Sequence, residues 1–122
     1  MIIGIGTDII EIHRVRKAIG RDFFKQKVFT AQEQFYCESR GKQSFASYAA
    51  RFAAKEAFFK AIGTGIFTSL QSVEVVNNSQ GQPQIILHGA AEKFAQQKNV
   101  RNIFLTLSHS KDYAVATVLI TT

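Results

Sequence analysis

The sequence predicts an α+β fold with antiparallel strands. Three observations support this prediction. Residues 44–62 form one long segment of helical character, two pairs of short apolar segments are separated by turns, and a strand with three helices precedes both pairs. With 122 residues, the chain is long enough for one domain, which we expect to span residues 1–122.

The first half of the chain predicts one strand and two helices. Residues 1–9, MIIGIGTDI, are an apolar run with glycines that predicts a strand ending near Asp8. In residues 12–19 the apolar positions recur at three and four residues, and Gly20 ends this helix. Thr-Ala-Gln-Glu at 30–33 matches a capping box, so a second helix extends from there to about residue 39.

The second half begins with the long helix over residues 44–62, which Gly63 is well placed to end in a left-handed conformation. Alternating apolar residues then predict two hairpins with a helix between them. The predicted strands cover residues 72–76, 84–87, 102–108 and 113–121, and the helix covers residues 90–97.

Composition excludes several classes of protein. Hydrophobic residues make up 46% of the chain and charged residues 20%, which is typical of a folded globular protein and not of a disordered one. Cys37 is the one cysteine, so no intramolecular disulfide is possible and we expect a cytoplasmic protein. The start of the chain lacks a signal-peptide pattern, and no apolar run is long enough to span a membrane.

Positive charge is concentrated near the start. The net charge is +6, and residues 11–27 contribute six basic against two acidic side chains. Such an excess indicates an acidic partner: a nucleic acid, a phosphorylated ligand or an acidic protein. A solvated helix face without a partner would give the same pattern.

Familiar catalytic and nucleotide-binding motifs are missing from the sequence. The glycines at 4 and 6, and those at 63 and 65, lack the third glycine of a dinucleotide fingerprint, and there is no Walker A sequence. The three histidines are too scattered for a zinc site. The run Ser108-His109-Ser110 is no catalytic triad by spacing, because neighbours on a strand point to opposite faces.

Between Phe52 and Ile62, three charged residues interrupt the long apolar helix: Lys55, Glu56 and Lys60. Glu56 and Lys60 are four residues apart and share a helix face, so a simple ion pair between them is one interpretation. A functional site would need a second acid, and Asp8 after the first strand is the candidate. Asp8 would alternatively cap the helix that follows it.

Two carboxylates that leave open coordination positions suit Mg²⁺, which retains waters and takes phosphate oxygens as further ligands. The lysines beside them suit phosphate, as do the free backbone amides of the glycine-rich turn Gly63-Thr64-Gly65.

These residues resemble a known family, the bacterial holo-acyl-carrier-protein synthases, which are 4′-phosphopantetheinyl transferases. The resemblance rests on GIGTDIIEI at residues 4–12, RFAAKEA at 51–57 with Lys60, and GTG at 63–65. It extends over the whole chain. It implies the fold of that family, a small antiparallel sheet packed with helices around one long central helix.

The resemblance also implies an activity. The family transfers the phosphopantetheine arm of coenzyme A to a serine of apo acyl carrier protein, requires Mg²⁺, releases adenosine 3′,5′-bisphosphate and serves fatty acid biosynthesis. It implies a homotrimer with active sites at subunit interfaces. Asp8 and Glu56 match the metal ligands, and Lys60 matches a lysine that contacts the phosphates. The base that takes the serine proton is not implied: Glu56, a metal-bound water and a carboxylate of the partner all remain.

Further roles follow from the same resemblance. The coenzyme A contacts are expected from Arg51, Lys60, Gly63, Thr64, Gly65 and His109. Arg51 would otherwise pair with a neighbour, and His109 would be a hydrogen-bonded histidine at a strand end. Arg14 and Arg21 on the first helix match a surface that docks the acidic carrier protein. Lys55 belongs to the motif, and a structural role is the alternative for it.

Two other functions compete with this one. A small basic nucleic-acid-binding module explains the net charge but leaves Asp8 and Glu56 without a purpose, since acids in a binding groove repel phosphate. A structural protein that kept the fold and lost the activity is the second, and the intact Asp8, Glu56 and Lys60 set argues against it. We therefore expect no nucleic-acid partner.

Overall fold

The computed structural model describes residues 1–21 and 23–122 and has the α+β architecture that the sequence predicts. Asp22, one of the two acids counted in the basic segment, lies outside the described residues. None of the helices in the described part of the chain has the length and apolar character needed to cross a membrane. The elements in chain order are β1 (Ile2–Glu11), α1 (Ile12–Ile19), α2 (Phe24–Val28), α3 (Ala31–Glu38), α4 (Ser44–Ile62), β2 (Val73–Asn77), β3 (Pro83–Leu87), α5 (Gly89–Gln97), β4 (Asn102–His109) and β5 (Tyr113–Thr121).

The strands form two antiparallel sheets. The larger has the order β1-β5-β4, so the first and last strands of the chain are neighbours, and the smaller is the β2-β3 hairpin. In the larger sheet the central strand β5 alternates buried alanine, valine and isoleucine with partly exposed residues. This period of two gives the sheet one face toward the core and one face outward.

Helix α4 packs on the inner face of the larger sheet, and two glycines of β1 bring it unusually close. A Cβ atom at Gly4 would lie 2.0 Å from the carbonyl oxygen of Ala61, and one at Gly6 would lie 2.1 Å from that of Ala57. Only glycine lets the backbone of a strand and that of a helix approach so closely. Alanines on α4 complete the close contact, and its buried positions explain why the helix shows no broad polar face.

Local signals for helix ends are confirmed. The Thr30 hydroxyl accepts from the backbone N–H of Glu33 at 3.2 Å, and the Glu33 carboxylate accepts from the N–H of Thr30 at 2.9 Å, which is the capping box. Gly63 ends α4 with a φ of 86°, the left-handed conformation expected there.

Strand β1 is longer than the sequence indicated. It does not end near Asp8 but continues to Glu11, because antiparallel pairing with β5 persists to the Glu11–Tyr113 position. Asp8 therefore lies inside the strand opposite Ala116, and α1 begins after Glu11, whose side chain makes no capping bond. The interpretation of Asp8 as a helix cap is wrong. The sequence patterns also did not predict three short elements, each only three to five residues long. These are helix α2 and the 3₁₀ turns at Gly41–Gln43 and Leu70–Ser72.

Candidate active site

The aspartate of β1 is buried and faces helix α4. Gly4, Gly6 and Asp8 alternate along the strand, so all three lie on its inner face. The Lys60 ammonium donates to Asp8 Oδ1 at 3.1 Å and to the carbonyl oxygen of Thr7 at 3.0 Å. Only 9% of the Asp8 side chain is exposed, against 56% of that of Lys60. The close helix contact at Gly6 thus places a nearly buried carboxylate under an accessible ammonium group.

Glu56 projects from the same helix toward Asp8. Partial burial raises the pKa of the Glu56 carboxyl, and the neighbouring Asp8 carboxyl raises it further, while Lys60 and Arg14 act in the opposite direction. Two acids therefore meet at the contact between β1 and α4. The ion pair of Lys60 is with Asp8, which corrects the interpretation of a simple Glu56–Lys60 pair. Packing of α4 against β1 brings Asp8 within reach of the Lys60 ammonium group. This contact cannot be deduced from residue spacing along the helix.

The donor set fits a hard divalent cation. Asp8 Oδ2 is buried and has no hydrogen-bond partner, although a buried carboxylate oxygen normally has one. A cation between Asp8 and Glu56 would satisfy this oxygen and relieve the repulsion of the two acids. The described residues contain no cluster of three or more metal-ligating side chains. Two protein carboxylates with waters and substrate phosphates are the arrangement that Mg²⁺ accepts.

A cavity of about 650 Å³ opens over this pair. Arg14, Lys17 and Arg21 of the α1 region line it together with Asp8 and Glu56. Basic residues of segment 11–27 thus form the rim of the cavity that contains the two acids. Phe24 and Phe52 also line the cavity, with ring centroids 5.9 Å apart. Phe24 was not predicted as a site residue because helix α2 was not predicted. Phe52 could have been found, because it lies one turn before Glu56 on the same helix face.

Arg51 and His109 lie elsewhere, in a second cavity of about 220 Å³. Arg51 is buried and donates to Asn77 Oδ1 at 2.7 Å, and its guanidinium carbon lies 4.2 Å from the centre of the Tyr36 ring. Its Nε is buried without a hydrogen-bond partner. His109 is exposed at the end of β4, with Nδ1 3.4 Å from the carbonyl oxygen of Ser110. Arg40, Gly81 and Pro83 also line this cavity, and no sequence pattern indicates that these distant segments meet.

The turn Gly63-Thr64-Gly65 follows α4 and is exposed, and it borders neither of these cavities. The structure therefore brings together Asp8, Glu56, Lys60, Arg14 and Arg21. It places Arg51 with His109 at a second position. Arg51 and Glu56 are five residues apart on α4, about 140° around the helix, so they face different surfaces.

Comparison with known proteins gives a consistent result. A family model described as the 4′-phosphopantetheinyl transferase superfamily matches residues 4–118. A holo-[acyl-carrier-protein] synthase of Ruminiclostridium cellulolyticum is 46% identical over 120 residues, covering 95% of this chain and 90% of that protein.

Solved structures of the same family have a similar fold. The crystal structure of holo-[acyl-carrier-protein] synthase from Neisseria meningitidis matches with a TM-score of 0.90 and 31% identity, covering 100% of both chains. The holo-(acyl-carrier-protein) synthase from Bacillus anthracis, solved in complex with CoA (3′,5′-ADP), matches with a TM-score of 0.81 and 37% identity, covering 98% of this chain and 96% of that one.

Proposed function

The chain belongs to the 4′-phosphopantetheinyl transferase superfamily, and we propose that it acts as a holo-[acyl-carrier-protein] synthase through the Asp8–Glu56 site. It transfers the 4′-phosphopantetheine arm of coenzyme A to a serine hydroxyl of apo acyl carrier protein. A bond forms between the serine oxygen and the phosphorus of the arm, the pyrophosphate P–O bond breaks, and adenosine 3′,5′-bisphosphate leaves. The serine proton is released. The observation that carries the proposal is the buried, unpartnered Asp8 Oδ2 beside Glu56.

Asp8 and Glu56 would hold Mg²⁺. When bound, the ion neutralises charge on the pyrophosphate and acts as a Lewis acid on it. Lys60 already donates to Asp8 and is largely exposed, so its ammonium group is free to turn toward a substrate phosphate. The chain's own part is to orient these three groups before the substrate arrives, which is most of what phosphoryl transfer requires.

The basic rim suits an acidic carrier protein. Arg14 and Arg21 are exposed on the wall of the cavity that contains the acidic pair, so a docked acidic surface would present its serine there. Charge complementarity of this kind mainly accelerates association and weakens with salt. Relatives lend no support to the nucleic-acid alternative. Asp8 and Glu56 would also repel a nucleic acid without a metal.

The residues proposed to contact coenzyme A are divided between two surfaces of one chain. Arg51 and His109 line the second cavity, away from Glu56, while Lys60 and the 63–65 turn lie at the end of α4. One coenzyme A would use both sets if the second cavity belonged to an adjacent copy. We therefore include in the proposal a homotrimer with its sites between subunits.

The outward face of the β1-β5-β4 sheet is the surface available for such contact. Five large apolar side chains are 47% to 66% exposed on these strands: Ile2, Ile5, Ile9, Phe104 and Tyr113. An exposed apolar patch of this kind is typical of a protein interface. We also propose a cytoplasmic location, because the free, buried Cys37 would stay reduced there.

The reaction is tested by mass spectrometry of apo acyl carrier protein after incubation with this enzyme, coenzyme A and Mg²⁺. A mass gain of one phosphopantetheine that disappears with EDTA is expected. No gain, while a known transferase modifies the same carrier, would refute the proposed activity for that carrier. Failure of coenzyme A to bind in a titration would extend the refutation to the site itself.

Shared sites are tested by mixing two inactive variants, Arg51→Ala and Glu56→Gln, after reversible dissociation. In the proposed trimer, each site takes Glu56 from one subunit and Arg51 from its neighbour. A site in the mixture is therefore intact when an Arg51→Ala subunit supplies Glu56 and a Glu56→Gln subunit supplies Arg51. Random mixing makes about a quarter of the interfaces intact, so activity should recover to about that fraction. Phe104→Lys should lower the mass measured by light scattering. No recovery from a mixture shown to exchange subunits would refute sites between subunits.

A further inference from the structure

The residue before Glu56 carries a fully buried positive charge. Lys55 has none of its side chain exposed, and its ammonium group donates three hydrogen bonds. These go to Glu33 Oε1 at 2.8 Å and to the carbonyl oxygens of Leu70 and Val73 at 2.9 and 2.8 Å. A lysine has three N–H donors, so all of them are used. A surface lysine shows no such constraint.

Its partner is equally enclosed. The Glu33 side chain is fully buried, and Oε1 also accepts from the backbone N–H of Thr30 at 2.9 Å, while Oε2 accepts from that of Val75 at 2.8 Å. The ion pair therefore joins three elements: the start of α3, the middle of α4 and strand β2. Truncation of one partner leaves a buried charge without its counterpart, which the neighbouring backbone cannot replace.

The same helix is held from its other side by β1. The Gly6 contact places the backbone of α4 directly against the strand that carries Asp8. The Asp8 carboxyl raises the pKa of the Glu56 carboxyl, and repulsion between two neighbouring carboxylates acts to move the helix away from the strand or to turn it. The strand contact opposes closer approach, and its helix residues, Ala57 and Ala61, lie on the side of α4 away from Lys55.

A small turn of the helix would be enough to disturb the pair. Side-chain ends lie about 5–6 Å from a helix axis, so a turn of about 10° moves a carboxylate by about 1 Å. Lys55 and Glu56 are neighbours, about 100° apart around α4, and such a turn would pull the Lys55 ammonium out of its three short hydrogen bonds. Those bonds resist the movement that the two acids favour.

We propose that Lys55 is a positioning residue of the site, whose ammonium group, bound to Glu33 and two backbone carbonyls, prevents rotation of α4 and keeps Glu56 beside Asp8. The inference rests on the proposed metal-binding role of Asp8 and Glu56. Lys55 touches neither substrate nor metal in this assignment. It acts through Glu56, and residues that orient metal ligands typically affect metal affinity by about 10- to 100-fold.

Direct metal binding tests the inference without turnover. Free Mn²⁺ is measured by electron paramagnetic resonance with coenzyme A present and no carrier protein, at a temperature where each variant is folded by circular dichroism. We expect Lys55→Met to weaken Mn²⁺ binding about 10-fold or more. Amide hydrogen exchange over residues 51–62 should become faster. Glu33→Gln keeps the shape of the partner but removes its charge, and should act in the same direction.

Two controls separate positioning from general loss of stability. Lys93→Met removes an exposed lysine of α5. Ile103→Ala removes partly buried packing of β4 against the core that includes α4, but leaves the Lys55–Glu33 pair in place. Both should retain wild-type Mn²⁺ affinity. Equal affinities for Lys55→Met and Ile103→Ala at comparable melting temperatures would overturn the inference. If Lys55→Met does not fold, Glu33→Gln decides by the same criterion.

The outcome also distinguishes this inference from the proposed function. Asp8→Asn should abolish Mn²⁺ binding. If the wild-type chain binds no Mn²⁺, the metal-binding role of the acids fails. The positioning role is then judged by amide exchange alone, and it fails if residues 51–62 of Lys55→Met exchange no faster than those of Ile103→Ala.

Discussion

Replacement of Gly6 by alanine should disable the enzyme from a distance, through the position of α4. The new Cβ would lie 2.1 Å from the carbonyl oxygen of Ala57, whereas real Cβ contacts essentially never fall below 3.0 Å. The contact is with backbone, so no side-chain rotation relieves it. Gly6 is paired with Val118 in the sheet, which holds β1 in place. The helix must therefore move by about 0.9 Å, the difference between 2.1 Å and 3.0 Å.

This displacement occurs next to Glu56, the residue before Ala57. A misplacement of about 1 Å in a catalytic group costs about 100-fold in rate, so kcat should fall by about that factor. Overpacking costs roughly 1–3 kcal/mol in the free energy of unfolding. The assay is steady-state formation of holo acyl carrier protein, at a temperature where circular dichroism shows a folded variant.

Two further glycines make the test specific. Gly4→Ala creates a similar clash, 2.0 Å from the carbonyl oxygen of Ala61, but five residues beyond Glu56. It should lower the melting temperature by a similar amount and kcat by less. Gly20→Ala is the neutral control, because its Cβ would lie 3.5 Å from the carbonyl oxygen of Lys17, an ordinary contact. Unchanged kcat in Gly6→Ala would refute the reasoning.

Four other predictions concern charge and burial. Asp8→Asn and Glu56→Gln should each lower kcat by about 100-fold or more while the circular dichroism spectrum is retained, and near-normal turnover would contradict the metal site. Because the pKa of Glu56 is raised in the folded state, its ionised form weakens the metal-free fold at neutral pH. Glu56→Gln should thus raise the melting temperature in EDTA at pH 7, and the gain should vanish below about pH 4, near the pKa of an unfolded glutamate. Arg14→Glu should raise the KM for carrier protein by about 10-fold and leave that for coenzyme A unchanged, in contrast to the exposed control Lys93→Glu; equal effects on both KM values would defeat the docking role. Burial raises the pKa of the Cys37 thiol to about 12, so iodoacetamide at pH 8 should label it only after unfolding; rapid labelling of the native protein would contradict its burial.

The resemblance to known enzymes made the fold and the activity accessible from the sequence, and the structural and sequence comparisons confirm both. The roles of individual site residues are still predictions. The structure contributes their arrangement: Lys60 pairs with Asp8 and not with Glu56, and Arg51 belongs to a different surface.

Local chemistry explains what the sequence by itself determined. Three features depend only on residues a few positions apart, so the sequence predicts them. They are the capping box at Thr30, the glycine that ends α4 and the alternation of β5. The strand Tyr113–Thr121 even has the predicted bounds.

Tertiary packing decided the rest. The extension of β1 to Glu11 needs β5, more than a hundred residues later, as its partner. The Asp8–Lys60 contact needs the close approach of helix and strand at Gly6, and the burial of Lys55 needs Glu33 from another helix. A charged side chain in a helix has the same local pattern whether it is solvated, paired or buried. Which state it adopts depends on the desolvation and partners that distant segments supply.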